Sequence, residues 1–315
     1  MSDEIVAISG LTKRFAGVVA VDSLSFTARK GEILGLVGPD GAGKTTTLRI
    51  LAGILPADTG SALVAGQDVL REPEAVKSRI SYMPQQFGLY EDLTVTENIR
   101  FYADIFEVTR TVRQQREAQL LEASGMSRFR DRLAGQLSGG MKRKLGIACA
   151  LIHTPQLLLL DEPTTGVDPV SRRELWSILY SLVFEGVTVL VSTAYLDEAE
   201  RCHRLLLMHQ GSRLFFGTPT DLKSKLPGGA LSIISSNPQA LQMATAGEQG
   251  VLRVTAMGDE LHVVVDDPDR RLDQLRERFD STGISFGDMR RIPASVEDVF
   301  VYVVSNQQTQ QAREQ

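Results

Sequence analysis

Gly38-Pro39-Asp40-Gly41-Ala42-Gly43-Lys44-Thr45 matches the spacing G-x-x-x-x-G-K-[ST], and this octet restricts the fold more than any other stretch. A triphosphate carries several negative charges, so its site needs many N–H donors at close range. Gly38, Gly41 and Gly43 let the backbone approach without a side-chain clash, and a following helix would offer its positive end. The flanking pattern supplies both elements: an apolar strand over Glu32–Val37 and a helix over Lys44–Leu51. Lys44 is the candidate for the β/γ-phosphates, and the Thr45 hydroxyl is the candidate Mg²⁺ ligand. The candidate triphosphate-binding set is Gly38, Pro39, Asp40, Gly41, Ala42, Gly43, Lys44, Thr45 and Thr46.

Two further groups of residues carry chemistry. Leu157-Leu158-Leu159-Leu160 reads as a buried strand ending in Asp161 and Glu162. In water-poor surroundings the electrostatic effect of these acids is strong. Asp161 is the candidate for holding Mg²⁺, and Glu162 for orienting or deprotonating an attacking water. Ser138-Gly139-Gly140 opens a helix over Met141–Ile152, an arrangement that cradles an anion. Spacing alone leaves open whether that anion belongs to this chain or to a partner. Lys142, Arg143 and Lys144 read as a solvated basic turn. Phe15 either stacks on adenine or is buried as an ordinary strand residue.

Composition excludes some classes. With 315 residues, 43% hydrophobic and 23% charged, the chain has the profile of an ordinary globular protein with room for two domains. Its net charge of −5 argues against a nucleic-acid binder relying on a basic surface. Cys149 and Cys202 make no disulfide framework and read as reduced thiols. The acidic start Met1-Ser2-Asp3-Glu4 lacks the basic and apolar regions of a signal peptide. No apolar run approaches the roughly 18 residues of a membrane span, so membrane association is expected through a partner.

Short apolar strands alternate with helical patterns through the first 225 residues or so, which reads as α/β. Val187–Ser192 is a further core strand, and the stretch from Glu91 to Arg132 is helical, an inserted subdomain within about 88–155. Pro227-Gly228-Gly229 reads as a linker between residues 1–226 and a second module at 229–304. In that module strands are expected at Ala230–Ser235, Val251–Thr255, Leu261–Asp266 and Ile284–Met289. Helices are expected at Pro238–Ala246 and Asp269–Thr282. The β-α-β-β-α-β order suggests a ferredoxin-like α+β fold. Ser295–Val304 reads as a closing helix and residues 305–315 as a polar, disordered tail.

Taken together, the octet, Tyr82-Met83-Pro84-Gln85, Leu137-Ser138-Gly139-Gly140, Asp161-Glu162-Pro163 and Asp168 resemble an ABC-transporter ATPase subunit over about residues 5–225. Phe87–Val95 and Leu196-Asp197-Glu198-Ala199-Glu200 resemble the drug-export branch, most closely the first ATPase half of YbhF-type exporters, which carry two halves in one chain. Ser295-Val296-Glu297-Asp298-Val299-Phe300 resembles the end of export-type chains. The resemblance implies a P-loop NTPase fold of the ABC type and Mg²⁺-dependent ATP hydrolysis with Glu162 and Lys44 as the catalytic pair. It also implies Gln85 sensing Mg²⁺ and water, and Asp168 communicating between the two sites of a dimer. The implied partners are membrane permease subunits and a second ATPase, identical or different, at the cytoplasmic face of the inner membrane.

One departure stands out. Directly after Val191-Ser192-Thr193 the family usually has a histidine that reaches the γ-phosphate and the catalytic glutamate. Here Ala194 occupies that position, and none of His153, His203, His209 and His262 matches it. Met141 likewise replaces the glutamine usual after the signature. The expectation is a slow site of its own and an intact signature serving a partner. The competing classes are a soluble ABC protein without permeases and a regulator that closes on nucleotide with little turnover.

Overall fold

A computed structural model of the protein describes residues 3–304. Met1, Ser2 and the tail assigned to 305–315 lie outside the described residues. The chain divides into two compact units, Met1–Phe216 and Gly217–Gln315.

In the first unit a six-stranded sheet runs in the order Ser212–Gly217, Arg204–His209, Ile33–Val37, Thr188–Thr193, Leu157–Asp161, Ile80–Met83. The last five strands of that order pair in parallel. Buried parallel strands are apolar throughout because both faces are covered. Leu157–Asp161 illustrates the cause: Leu157 and Leu159 enter one core while Leu158 and Leu160 enter another. Complete burial of each leucine contributes about 1.5–3 kcal/mol.

One of those cores packs the helix Lys44–Leu51 and an antiparallel sheet against the central strands. The antiparallel order is Val18–Arg29, Glu4–Phe15, Thr59–Val64, Gln67–Asp68. The first two of these strands form a hairpin turning at Ala16 and Gly17, both at positive φ (39° and 91°). This sheet was not among the expected elements. The opposite core is helical, with Trp176 fully buried within it.

The inserted subdomain leaves the sheet after Ile80–Met83 and returns on the adjacent strand Leu157–Asp161. It holds helices at Val95–Ile105 and Arg110–Ala123, short 3₁₀ turns at Ser127–Phe129 and Ala134–Gln136, and the helix Gly139–Leu151. Thr94 starts the first helix: its hydroxyl accepts from the Glu97 N–H, and Glu97 accepts from the Thr94 N–H in return. Both cysteines are buried, and burial pushes both thiol pKa values up. No helix of the described residues is long and apolar enough to cross a membrane.

The second unit carries a four-stranded antiparallel sheet ordered Val251–Met257, Glu260–Val265, Gly229–Ile234, Met289–Ile292. Helices Pro238–Thr245 and Pro268–Thr282 complete the β-α-β-β-α-β order. Numbered along the chain, the strands lie 4-1-3-2, the ferredoxin-like arrangement. Asp267 caps the longer helix, and Gly283 ends it in the left-handed conformation at φ 70°. Residues 296–304 are helical.

Two expectations shift. The last strand lies at Met289–Ile292 rather than Ile284–Met289. Ile284 and Phe286 pack on the core from outside the ladder, so their alternation imitated a strand. The division between units falls before the helix Pro219–Lys223, ahead of Pro227-Gly228-Gly229. That turn is packed: Gly228 sits at φ +84°, and a Cβ there would lie 2.0 Å from the Val265 carbonyl oxygen. Gly228→Ala is therefore expected to destabilise the second unit by roughly 1–3 kcal/mol. Calorimetry of the full chain reads the outcome: one transition moves down while nucleotide affinity stays unchanged. An unmoved transition would show the turn to be a free linker.

Candidate functional site

The phosphate-binding loop is built by close backbone packing. Strand Ile33–Val37 is wholly buried and ends at Gly38, whose N–H donates to the Thr193 carbonyl at 3.3 Å. A Cβ on Gly43, at φ +99°, would lie 2.4 Å from the Ala20 carbonyl oxygen, so only glycine fits there. Lys44 is the first helical residue and is 4% exposed. Its ammonium donates to the carbonyls of Gly38 (2.8 Å) and Pro39 (3.0 Å) and lies 3.3 Å from Glu162 Oε1.

The acids arrive from Leu157–Asp161, which Thr188–Thr193 separates from Ile33–Val37. Asp161 is 2% exposed and accepts from Thr45 Oγ1 at 2.9 Å, Ser192 Oγ at 2.7 Å and the Tyr82 hydroxyl at 3.2 Å. Burial pushes the Tyr82 pKa up, keeping it a donor. Glu162 has a left-handed backbone (φ 47°), held by its N–H donating to Ser192 Oγ at 2.9 Å. An αL conformation at a residue other than glycine is held by its surroundings and turns the side chain out of the strand direction. Gln85 Nε2 (3.1 Å) and Thr165 Oγ1 (3.3 Å) both donate to Glu162 Oε2.

These groups open on a cavity of about 690 Å³. Of the expected site residues it brings together Phe15, Asp40, Gly41, Ala42, Gly43, Lys44, Thr45, Thr46, Gln85 and Glu162. Phe15 is 44% exposed at the hairpin turn, with Val18 beside it at 67%. Burial as an ordinary strand residue is thus excluded for Phe15. Gly38 and Pro39 sit behind the cavity as acceptors for Lys44, and Asp161 sits beneath Thr45. Oxygens of Thr45 and Asp161, 2.9 Å apart, form the donor set a hard cation prefers, so the residues fit Mg²⁺.

Ser138, Gly139, Gly140 and Asp168 do not line this cavity. Ser138 caps the helix Gly139–Leu151, accepting from the Met141 N–H at 3.3 Å. Asp168 caps Pro169–Phe184, accepting from the N–H groups of Val170 and Ser171 at 3.0 Å. Hydrogen bonds from the Ser171 side chain and N–H hold its carboxyl below the usual carboxylate range. The two helix starts meet: a Cβ on Gly140 would lie 2.5 Å from Ser171 Oγ.

The basic turn is half-buried and paired rather than freely solvated. Lys142 pairs with Glu91 (2.6 Å), Arg143 donates to the Gln85 carbonyl, and Lys144 pairs with Glu174 (2.6 Å). Each cation ties the signature helix to a different segment. Sequence reasoning also passed over Ser192, Tyr82 and Thr165, and Gln210, which lines the cavity from a turn at φ 48°. Ser192 had one available signal, a polar residue near the end of an otherwise apolar strand. Ala194 is exposed, one residue past Thr188–Thr193.

Comparison with known proteins gives the family. The ABC transporter family model matches residues 21–165. The daunorubicin/doxorubicin resistance ATP-binding protein DrrA of Streptomyces peucetius is 38% identical over 301 residues, spanning 94% of this chain and 91% of DrrA. The chain belongs to the ABC transporter family. A second member, the probable multidrug ABC transporter ATP-binding protein YbhF of Escherichia coli, is 50% identical over 249 residues. That match spans 78% of this chain and 43% of YbhF, so the chain covers less than half of that relative's length. Among solved structures, the ATP-binding cassette MJ0796 superposes with a TM-score of 0.61 at 25% identity. It covers 68% of this chain and 98% of its own, and is a dimer in a post-hydrolysis state bound to ADP and Pi.

Lys44→Ala removes the cation at the loop and is expected to weaken ATP binding about 10- to 150-fold. Ser138→Ala, outside the cavity, is expected to leave the affinity of the isolated chain within about twofold. Fluorescence titration with a labelled nucleotide measures both. Equal losses would mean that one chain's signature helix already contacts its own nucleotide.

Proposed function

We propose that this chain binds Mg-ATP and hydrolyses it to power an exporter whose membrane permeases are separate subunits. The observation that carries the reading is the meeting of Lys44, Gln85 and Glu162 on one cavity, with Glu162 oriented by two hydrogen-bond donors. In that role Glu162 accepts a proton from the attacking water, and Lys44 binds the phosphates. Thr45 and Asp161 would hold Mg²⁺, which supplies positive charge against the phosphate oxygens. Phe15 offers a flat surface to the adenine.

Ser138, Gly139 and Gly140 would serve the nucleotide of a second ATPase across a head-to-tail dimer, with Asp168 between the two sites. Their absence from this chain's own cavity favours that arrangement. The dimeric state of MJ0796 supports it by likeness. The drug-resistance and multidrug names of DrrA and YbhF support export as the direction of transport. Permeases would dock beside the Gln85 loop at the cytoplasmic face of the membrane. A groove of about 250 Å³ lies there, where Phe87 and Tyr102 stack at 5.1 Å.

Ala194 offers neither a hydrogen-bond donor nor a charge. Loss of one hydrogen bond to a charged group in the transition state costs about 1.5–3 kcal/mol, a slowing of roughly 10- to 150-fold. The chain's own site is therefore a slow one, paired with a more competent partner. A self-sufficient homodimer is the second reading, favoured by Gln85 and Thr165 both donating to Glu162.

Steady-state hydrolysis by the native chain, Ala194→His and Glu162→Gln separates the two. Low native activity that rises at least about tenfold in Ala194→His supports the slow site. Robust native activity, lost only in Glu162→Gln, leaves the homodimer. Activity indifferent to Glu162→Gln overturns the role assigned to Glu162.

A further inference from the structure

Glu198 is fully buried in the short helix Leu196–Ala199 and lines no part of the nucleotide cavity. Its carboxylate nevertheless accepts four hydrogen bonds from three separate segments. Oε2 receives Thr164 Oγ1 at 3.0 Å and Thr193 Oγ1 at 2.7 Å. Oε1 receives Arg172 Nε at 3.1 Å and Nη2 at 3.0 Å. Thr164 lies two residues past Glu162, and Thr193 immediately precedes Ala194. Arg172 sits in the first turn of the helix that Asp168 caps.

The surrounding contacts extend the cluster. Arg172 also reaches Asp197 at 3.2 Å, and its guanidinium lies 4.5 Å over the Tyr195 ring. Thr193 Oγ1 accepts from the Tyr195 N–H at 3.0 Å, which fixes the turn that contains Ala194. One position before Arg172, Ser171 stands where a Cβ on Gly140 would come within 2.5 Å of its hydroxyl. A chain of contacts thus runs from the Glu162–Thr165 loop through Glu198, Arg172 and Ser171 to the start of the signature helix.

We propose that Glu198 is a positioning residue that couples the carboxylate loop of this chain's nucleotide site to its own signature helix. The proposal deepens the hydrolytic reading and rests on it for the role of Glu162. Glu198 is buried while Arg172 keeps 23% of its side chain exposed, and replacing such a pair by apolar residues of similar volume is often neutral or stabilising, so the pair is weak evidence of a purely stabilising role. What the pair supplies is geometry. Two charge-assisted bonds from adjacent guanidinium nitrogens to Glu198 Oε1 hold Arg172 in one orientation, and the two threonines tie both loop exits to the same carboxylate through Oε2. A displacement of the loop at 162–165 then moves the helix start at 169–172, against which Gly140 is packed.

Amide hydrogen exchange on the full nucleotide-free chain tests the coupling without relying on hydrolysis. In Glu198→Gln, exchange is expected to rise roughly tenfold in peptides covering 163–168 and 139–142, with the helix at 44–51 unchanged. Thr164→Val keeps the Glu198–Arg172 pair and should raise exchange at 163–168 alone. Arg172→Lys keeps the charge but not the fork, and should give a smaller rise in both regions. These two variants decide the matter if Glu198→Gln does not fold. A response confined to 193–200, or spread evenly over the chain, overturns the proposal.

Kinetics supply the second readout. With kcat referred to the folded chain, since loss of folded protein by itself lowers apparent kcat at constant KM, Glu198→Gln is expected to lower kcat about tenfold with KM for Mg-ATP within about twofold. Unchanged kcat and KM overturn the proposal. If Glu162→Gln leaves hydrolysis untouched, the role assigned to Glu162 fails, and the exchange pattern still decides whether Glu198 couples the two segments.

Discussion

Leu157, Leu158, Leu159 and Leu160 are each fully buried and face alternately into two different cores. That double burial anchors the strand from both sides, and the chemistry at its end inherits the rigidity. Strands Ile33–Val37, Leu157–Asp161 and Thr188–Thr193 run parallel, so their C-terminal ends emerge at one edge of the sheet. In open α/β sheets this is the edge at which ligands bind. The phosphate loop, the two acids and the turn at Ala194 converge there because the sheet delivers them together. Asp161 then bonds to both neighbours and beyond: Ser192 lies within one flanking strand, Tyr82 within the other, and Thr45 follows Ile33–Val37 one strand further on.

Glycine-rich helix starts of the kind suited to an anion occur twice in the first unit. One is the loop before Lys44, which opens on the cavity with Glu162. The other is Ser138 with its glycines, packed against the capped start of Pro169–Phe184. Each is half of a site under the head-to-tail arrangement proposed above. Arg143 links the second to the first by bonding to the Gln85 carbonyl, while Gln85's own side chain bonds to Glu162. Gln85 thus joins the signature helix and the carboxylate through its carbonyl and its side chain.

Features whose chemistry is local in sequence could be read before the fold was seen. The octet at Gly38–Thr45 and the apolar strand ending in Asp161-Glu162 are contiguous, and each carries its own physical reason. Partnerships between distant segments could not be read. The ties of Glu198 to Thr164 and Arg172 span 34 and 26 positions, and nothing in local periodicity marks them. Lys142, Arg143 and Lys144 looked like a solvated run because their partners Glu91, Gln85 and Glu174 lie far along the chain. The antiparallel sheet escaped notice because its strands Glu4–Phe15 and Val18–Arg29 mix exposed and buried residues without clean alternation. Ile284 and Phe286 misled for the opposite reason, alternating as a strand does while lying outside the ladder.

Cys149 sits among the helices of one core, and Cys202 lies where a side chain on Gly35 would come within 2.7 Å of its sulfur. Neither thiol meets solvent, and burial disfavours the thiolate at both. To an alkylating probe the folded chain behaves as if it had no cysteine. A single thiol introduced on the surface therefore becomes a unique chemical address, with no native residue to remove first. The native pair, silent until the core opens, serves in turn as a built-in clock for unfolding.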